Sequence, residues 1–208
     1  MIFIFNGEPA SGKDTLTEFL ENYLKHRSFN VMHMRFKDKI YELIATVRDM
    51  NLSDVIKICN DRNNKEKPCI HFGGRTPREE MIYVSEVLMK PNYGKDYFGH
   101  VSVDRVNNLN NIDHFIFSDG GFQEEVDVLS EFTDHYVAVL QVVRPNNKVK
   151  TSDSRSKVFG EMDGLTTEII NHDGKIDDTY KQVIAQVEQW LSFESEAYKY
   201  AEIAEELR

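Results

Sequence analysis

Cysteine is scarce in this chain of 208 residues, which contains only Cys59 and Cys69. The pair shows no CxxC spacing, so the sequence indicates no disulfide framework. The seven histidines are scattered, and their spacing matches no metal-ligand pattern. These two absences remove disulfide-rich secreted domains and histidine- or cysteine-bound metal proteins from the classes to be considered.

Positively charged residues and long apolar runs are also scarce. The chain has 25 Lys and Arg against 35 Asp and Glu, a formal net charge of −10. This balance argues against a nucleic-acid polymer as partner, although local arginines can still bind a small anionic substrate. No apolar segment is long enough for a signal peptide or a membrane span, so we expect a cytosolic protein without a membrane partner.

The pattern that is present most clearly lies in residues 2–20. An apolar run at residues 2–5 is followed by Gly7-x4-Gly12-Lys13, the spacing of a phosphate-binding loop. In such a loop backbone N–H groups surround a polyphosphate, and the lysine contacts its β- and γ-phosphates. Asp14 stands where a Ser or Thr normally binds magnesium. An amphipathic helix should follow, because apolar residues recur at helical spacing: Leu16, Phe19, Leu20, Tyr23 and Leu24.

Strand and helix patterns alternate along the rest of the chain. Apolar runs predict strands at residues 29–36, 114–119, 135–143 and 168–171, and helical spacing predicts helices at 37–50, 101–109, 180–191 and 198–207. This order predicts an α/β protein of the P-loop kinase-like, three-layer type, with a mostly parallel sheet and helices on both faces. We expect one domain spanning residues 1–208. Within it, the polar stretch at about 146–165 has no core pattern and is interpreted as a lid.

Two arginines flank a predicted helix start. Thr76 can be the N-cap, Pro77 fits the first helical position and Glu79 completes a capping box. Arg75 and Arg78 would then lie beside a helix N-terminus, where they can bind a phosphate. The alternative is that both are surface arginines paired with Glu79 or Glu80, and the spacing favours neither interpretation.

Asp119 ends the predicted strand at 114–119, and ligands of open α/β sheets bind beyond the carboxyl ends of the strands. It is therefore a candidate magnesium partner or substrate contact, unless it only caps the helix that follows. Arg144, directly after the strand at 135–143, and Arg155, in the predicted lid, are candidates to neutralise charge on a transferred phosphoryl group.

Five segments resemble bacteriophage deoxynucleoside monophosphate kinases, in the order of that family. They are GEPASGKDT at 7–15, TPRE at 76–79, FSDGGFQEE at 117–125, VVRP at 142–145 and INHDG at 170–174. The similarity extends over most of the chain. It departs at Gly121, where an arginine is usual in the family, so an arginine of the acceptor site is missing there.

The resemblance implies a kinase that transfers the γ-phosphoryl of ATP to a deoxynucleoside monophosphate with Mg²⁺, often as a homodimer. Lys13, Arg144 and Arg155 would be catalytic, and Arg78 would bind the acceptor. Arg75 and Asp119 are candidate acceptor contacts from their positions beside a helix start and at the end of a strand. Asp14 and Asp119 would hold Mg²⁺, directly or through water. The ATP-binding residues would be Gly7, Ala10, Ser11, Gly12, Lys13, Asp14 and Thr15, with Thr15 at the α-phosphate.

Two other functions compete with this one. Lys-Asp also occurs in the loops of some small-metabolite kinases, such as those acting on phosphomevalonate or dephospho-coenzyme A. A nucleotide-binding switch protein with weak catalysis is the second alternative, and Gly121 gives it support.

Overall fold

The computed structural model describes residues 1–145, 147 and 156–206, with the side chains of 198 and 200–206 excepted. Arg155 and much of the predicted lid lie outside the described residues. The chain divides into two compact units, residues 1–35 with 103–208 and residues 36–102. The single domain predicted for 1–208 stays a prediction.

The first unit is built on five parallel strands: β1 (Ile2–Asn6), β2 (Val31–Met34), β3 (His114–Gly120), β4 (Val137–Val143) and β5 (Thr166–Ile170). Their order in the sheet is β2-β3-β1-β4-β5. The neighbours are in parallel register, with Asn6 opposite Gly120 on one side and Gln141 on the other. The predicted α/β fold is confirmed, and this arrangement is consistent with a three-layer P-loop-like fold.

Four helices belong to this unit wholly or in part: α1 (Lys13–His26), the end of α6 (Tyr97–Asn107), α7 (Gln123–Phe132) and α8 (Ile176–Glu206). Alternate residues of the central strand point to opposite faces. Phe3 and Phe5 join one core with α1 and α8, while Ile2 and Ile4 are equally buried on the other face. Both faces of the sheet are therefore covered.

The C-terminal helix differs from the prediction of two helices, because α8 is one helix of 31 residues. Trp190 of this helix is buried in the core and stacks on Phe3 at 6.4 Å between ring centroids. Its indole N–H donates to the backbone oxygen of Gly164 at 2.7 Å. Both contacts lie within this unit.

The described part of the predicted lid contains core residues, contrary to the expectation for residues 146–165. Val158 is fully buried, and Leu165 belongs to the core on the α1 and α8 face. The side-chain amide of Gln141 donates to the backbone oxygen of Val158 at 2.8 Å, and the amide of Asn6 donates to that of Ser156 at 2.9 Å. Residues 156–165 are thus attached to the sheet of this unit.

The second unit is helical. It contains α2 (Lys37–Arg48), α3 (Leu52–Asn60), a 3₁₀ turn at Ile70–Phe72, α4 (Pro77–Ile82), a π-helical stretch at Tyr83–Met89 and α5 (Lys90–Tyr93), and α6 begins here. Its core is formed by buried residues from several of these elements: Tyr41, Ile44, Val55, Cys59, Phe72 and Val84. The predicted capping box is confirmed, with Thr76 accepting from the Glu79 N–H and the Glu79 carboxylate accepting from the Thr76 N–H.

Among the described residues, the structure contains no helix whose length and apolar character would let it cross a membrane.

Candidate phosphate-binding site

The loop from Gly7 to Gly12 connects β1 to α1 at the carboxyl edge of the sheet. Since β1 pairs in parallel with both β3 and β4, the ends of these strands lie beside the start of the loop. The strand before the loop and the helix after it, which the motif requires, are both present. The sequence motif therefore stands in the structural context of a phosphate-binding loop.

Two glycines of the motif are required by close contacts. Gly7 has φ +147°, and a Cβ there would lie 2.4 Å from the backbone oxygen of Val142. Gly12 has φ +101°, and a Cβ would lie 2.4 Å from Nδ2 of Asn171. Ala10 has φ +62° without being glycine, a conformation that costs about 1–2 kcal/mol. The loop is therefore held in a strained form by its surroundings.

Every backbone oxygen from Gly7 to Gly12 accepts a hydrogen bond. The donors are Lys13 Nζ to Gly7 and Glu8 (2.6 and 2.8 Å), Asn147 Nδ2 to Pro9 (2.9 Å), Arg144 Nη1 to Ala10 (3.1 Å), Asn171 Nδ2 to Ser11 (2.7 Å) and Leu16 N to Gly12 (3.1 Å). Because the N–H and C=O of a trans peptide point in opposite directions, the Ala10 and Gly12 N–H groups point away from Asn147 and Asn171, while the Ser11 N–H donates to the Glu8 oxygen at 3.2 Å. Backbone N–H groups that point to one side of a loop form an anion-binding concavity.

Helix α1 adds to this concavity. Its first N–H groups have no partner within the helix, and the helix dipole places partial positive charge at the same end. A polyphosphate at the loop would therefore meet both the loop amides and the helix N-terminus. Asp14 and Thr15 lie in this first turn and are exposed, so their side chains are accessible from solvent.

Arg144 is brought to the loop, as predicted for a residue directly after β4. Its guanidinium forms an ion pair with Asp173 through both Nε (2.8 Å to Oδ1) and Nη2, and its Nη1 donates to Ala10. Both partners are partly exposed, with 39% and 58% of the side chain accessible. Arg144 therefore contacts the loop at the backbone oxygen of Ala10.

Asp119 is the residue before Gly120 in β3, and Gly120 is the register partner of Asn6. It is half-buried and lies at the same sheet edge as the loop. Carboxylates suit Mg²⁺, which phosphoryl-transfer sites typically bind through one or two carboxylates together with substrate phosphates. The described residues contain no cluster of three or more metal-ligating side chains. Asp14 and Asp119 both offer carboxylate oxygens, the ligand type that Mg²⁺ prefers, and the magnesium site stays a prediction.

Arg75 and Arg78 lie in the helical unit, where each has an acidic partner. Arg75 Nη1 lies 3.2 Å from Oε2 of Glu80, a fully buried carboxylate, and its guanidinium stacks over the Tyr83 ring at 4.0 Å. Arg48 binds the same carboxylate with two hydrogen bonds, which raise the pKa of its guanidinium.

Arg78 differs from Arg75 in its partner. Its Nε donates to Glu66 at 2.6 Å, and the Glu66 side chain is 62% exposed. The pairing with Glu80 anticipated as an alternative is therefore found for Arg75. Arg78 pairs with Glu66, an acid twelve residues earlier in the chain.

A cavity of about 490 Å³ adjoins the loop in the sheet-containing unit. Gly7, Glu8 and Ser11 line it from the loop, and its other walls include Gln141, Arg144, Lys157 and Glu168. Of the residues in these walls, Arg144 was predicted from the sequence as a site residue, whereas Gln141, Lys157 and Glu168 were not. The loop contacts Asn147 and Asn171 were not predicted either. Only the adjacency of β1, β4 and β5 brings them together.

No protein-family model matches the sequence, and no curated protein matches it either.

Proposed function

We propose that this protein is an ATP-dependent kinase that phosphorylates deoxynucleoside monophosphates to diphosphates. The observation that carries the proposal is the phosphate loop between β1 and α1, whose Pro9, Ala10 and Ser11 oxygens accept hydrogen bonds from side chains in distant parts of the chain. The resemblance of five segments to phage deoxynucleoside monophosphate kinases supports this acceptor class. Homodimer formation and a cytoplasmic location, that of the host for a phage protein, are parts of the same proposal.

Binding of the donor would rest on the loop and Lys13. The loop amides and the N-terminus of α1 would bind the β-phosphate, and Lys13 would add a positive charge at the β- and γ-phosphates. Gly12 is the N-cap of α1, and Asp14 and Thr15 lie in its first turn, where they would contact the donor phosphates. A Mg²⁺ ion bound with ATP would supply positive charge against the charge that develops on the transferred phosphoryl group. Asp14 and Asp119 would hold it through a carboxylate or a bound water.

The acceptor would be bound by arginines, as a nucleotide monophosphate requires. Arg78 is the better suited of the two candidates, because its partner Glu66 is exposed and can give way to a phosphate. Arg75 is paired with the buried Glu80, so its guanidinium would bind the acceptor phosphate while it is held by that carboxylate. Gly121 leaves the acceptor site without the arginine usual at that point, which bears directly on base preference.

Transfer itself needs positioning and charge stabilisation more than covalent chemistry. Arg144 and Arg155 would supply positive charge near the transferred group, together with Lys13. Closure of residues around the site would exclude the water that otherwise hydrolyses ATP.

The test is a coupled assay of ADP release with ATP, Mg²⁺ and a panel of acceptors. The panel contains the four deoxynucleoside monophosphates, their ribose counterparts, phosphomevalonate and dephospho-coenzyme A. We expect turnover with at least one deoxynucleotide. Turnover only with a non-nucleotide would support the metabolite-kinase alternative, and tight ATP binding without any turnover would support the switch protein.

A further inference from the structure

The outer side of the phosphate loop is held by residues that follow β4 and β5. Arg144 donates to Ala10 at 3.1 Å and Asn171 donates to Ser11 at 2.7 Å. These two oxygens belong to the consecutive Ala10–Ser11 and Ser11–Gly12 peptides, which directly follow the left-handed φ of Ala10. The contacts therefore act at the strained part of the loop.

Both donors are themselves fixed by neighbours. Asp173 pairs with the guanidinium of Arg144, and the hydroxyl of the buried Thr179 donates to Oδ1 of Asn171 at 3.4 Å. The backbone N–H of Asn171 donates to the Val143 oxygen at 2.8 Å, which joins the ends of β5 and β4. The side-chain amide of Asn171 thus reaches the loop from a site anchored to the sheet.

Without these donors, the Ala10–Ser11 and Ser11–Gly12 peptides would be less restrained in their rotation about the adjoining Cα bonds. Rotation of the Ser11–Gly12 peptide would turn the Ser11 oxygen toward the space where the anion binds and remove the Gly12 N–H from it, and rotation of the Ala10–Ser11 peptide would break the bond from the Ser11 N–H to the Glu8 oxygen (3.2 Å). A carbonyl in that position repels phosphate, so anion affinity depends on which way these peptides point.

We propose that Arg144 and Asn171 are positioning residues that keep the phosphate loop in its anion-binding form. The proposal rests on the proposed function and deepens it, since it assigns Arg144 to the ground-state binding of the donor phosphates. A residue of this kind changes the affinity for the donor. A residue that only neutralises charge on the transferred group changes kcat instead.

The experiment measures the binding of inorganic triphosphate by calorimetry, with no acceptor present. Asn171→Asp keeps the size of the side chain but replaces the donor to Ser11 by an oxygen, and Arg144→Ala removes the donor to Ala10. We expect each to raise the Kd for triphosphate at least 10-fold, with partial recovery in Arg144→Lys. Arg27→Ala is the matched control, because Arg27 forms an exposed pair with Glu188 at the other end of α1 and should leave Kd unchanged.

The same variants are then assayed for turnover. In Asn171→Asp, a rise in KM for ATP with kcat near that of the wild type supports the positioning role, whereas Arg144→Ala should also lower kcat because its charge is proposed to act on the transferred group. An unchanged triphosphate Kd in both Asn171→Asp and Arg144→Ala overturns it, as does a wild-type protein that binds no triphosphate. Should either variant fail to fold, Asp173→Ala takes its place, since that side chain is exposed and its loss frees Arg144; an unchanged Kd there also contradicts the proposal. Triphosphate binding without any kinase turnover would reject the kinase and leave the positioning role intact.

Discussion

The ammonium of Lys13 lies 2.6 Å from the backbone oxygen of Gly7, so the lysine that ends the phosphate-loop motif is hydrogen-bonded to the glycine that begins it. A second bond to Glu8 places the positive charge over the first turn of the loop. An anion bound by the loop amides would therefore lie next to a charge that is already oriented by the loop itself.

Replacing Lys13 by Ala should abolish most of the activity without unfolding the protein. Removal of one electrostatic donor at a transition state typically costs roughly 100- to 1,000-fold in kcat. Steady-state kinetics with ATP and the preferred acceptor measure the loss. Lys25→Ala is the control, because Lys25 lies on the same helix in an exposed pair with Glu21. Unchanged turnover in Lys13→Ala, with a folded protein by circular dichroism, would reject the phosphate-loop interpretation.

A methyl group at Gly7 should destabilise the protein more than one at Gly164. Both residues have positive φ, but Gly164 has open space around its missing side chain, whereas Gly7 faces the Val142 oxygen at 2.4 Å. Gly164→Ala should lower the free energy of unfolding by about 1–2 kcal/mol, the cost of a left-handed backbone for alanine. Gly7→Ala should lower it by about 1–3 kcal/mol more, because its methyl group would also be overpacked. Urea denaturation of the two variants gives the comparison. Equal losses would show that the loop can move away from β4.

Glu80 should be the most important acidic residue for the stability of the helical unit. Its fully buried carboxylate binds Arg48 and Arg75 together. Glu80→Gln should lower the free energy of unfolding by about 2–3 kcal/mol, less than for a wholly buried pair because both arginines reach solvent. Glu66→Gln, which disrupts only the exposed pair with Arg78, should cost less than about 1 kcal/mol. Similar losses in the two variants would contradict this assignment.

The two cysteines should differ in reactivity. Burial raises the pKa of the Cys59 thiol to about 11, so at pH 8 only about one molecule in a thousand carries the reactive thiolate. Because a free thiol with a pKa near 8.5 is about a quarter ionised at that pH, we expect alkylation of Cys59 at least about 100-fold slower in the native protein than in urea. Mass spectrometry after iodoacetamide treatment follows both sites. Rapid native labelling of Cys59 would show that its helix opens readily.

The elements that sequence patterns predicted well are those defined by local signals. The strand at 2–5, the loop glycines and the capping box at Thr76 each depend on residues within a few positions of one another, and each is present in the structure. Helix α3 was not predicted. It lies in a short stretch whose apolar positions belong to the core of the helical unit.

The partners of the candidate arginines could not be predicted, because they come from distant parts of the chain. Arg48 and Arg75 share Glu80. Arg144 directly follows β4, and its partner Asp173 lies in the segment after β5. The contact of Asn171 with the loop could not be predicted for the same reason, since it depends on the parallel pairing of β4 with β5. Sequence spacing shows the loop itself but not the residues that hold it.

The most direct test of the proposed activity follows the label from γ-³²P-ATP in the presence of Mg²⁺ and each deoxynucleoside monophosphate. Wild-type protein should transfer the label to form a labelled deoxynucleoside diphosphate, and Lys13→Ala should not. Label released only as inorganic phosphate, or no transfer to any of the four acceptors, would contradict it.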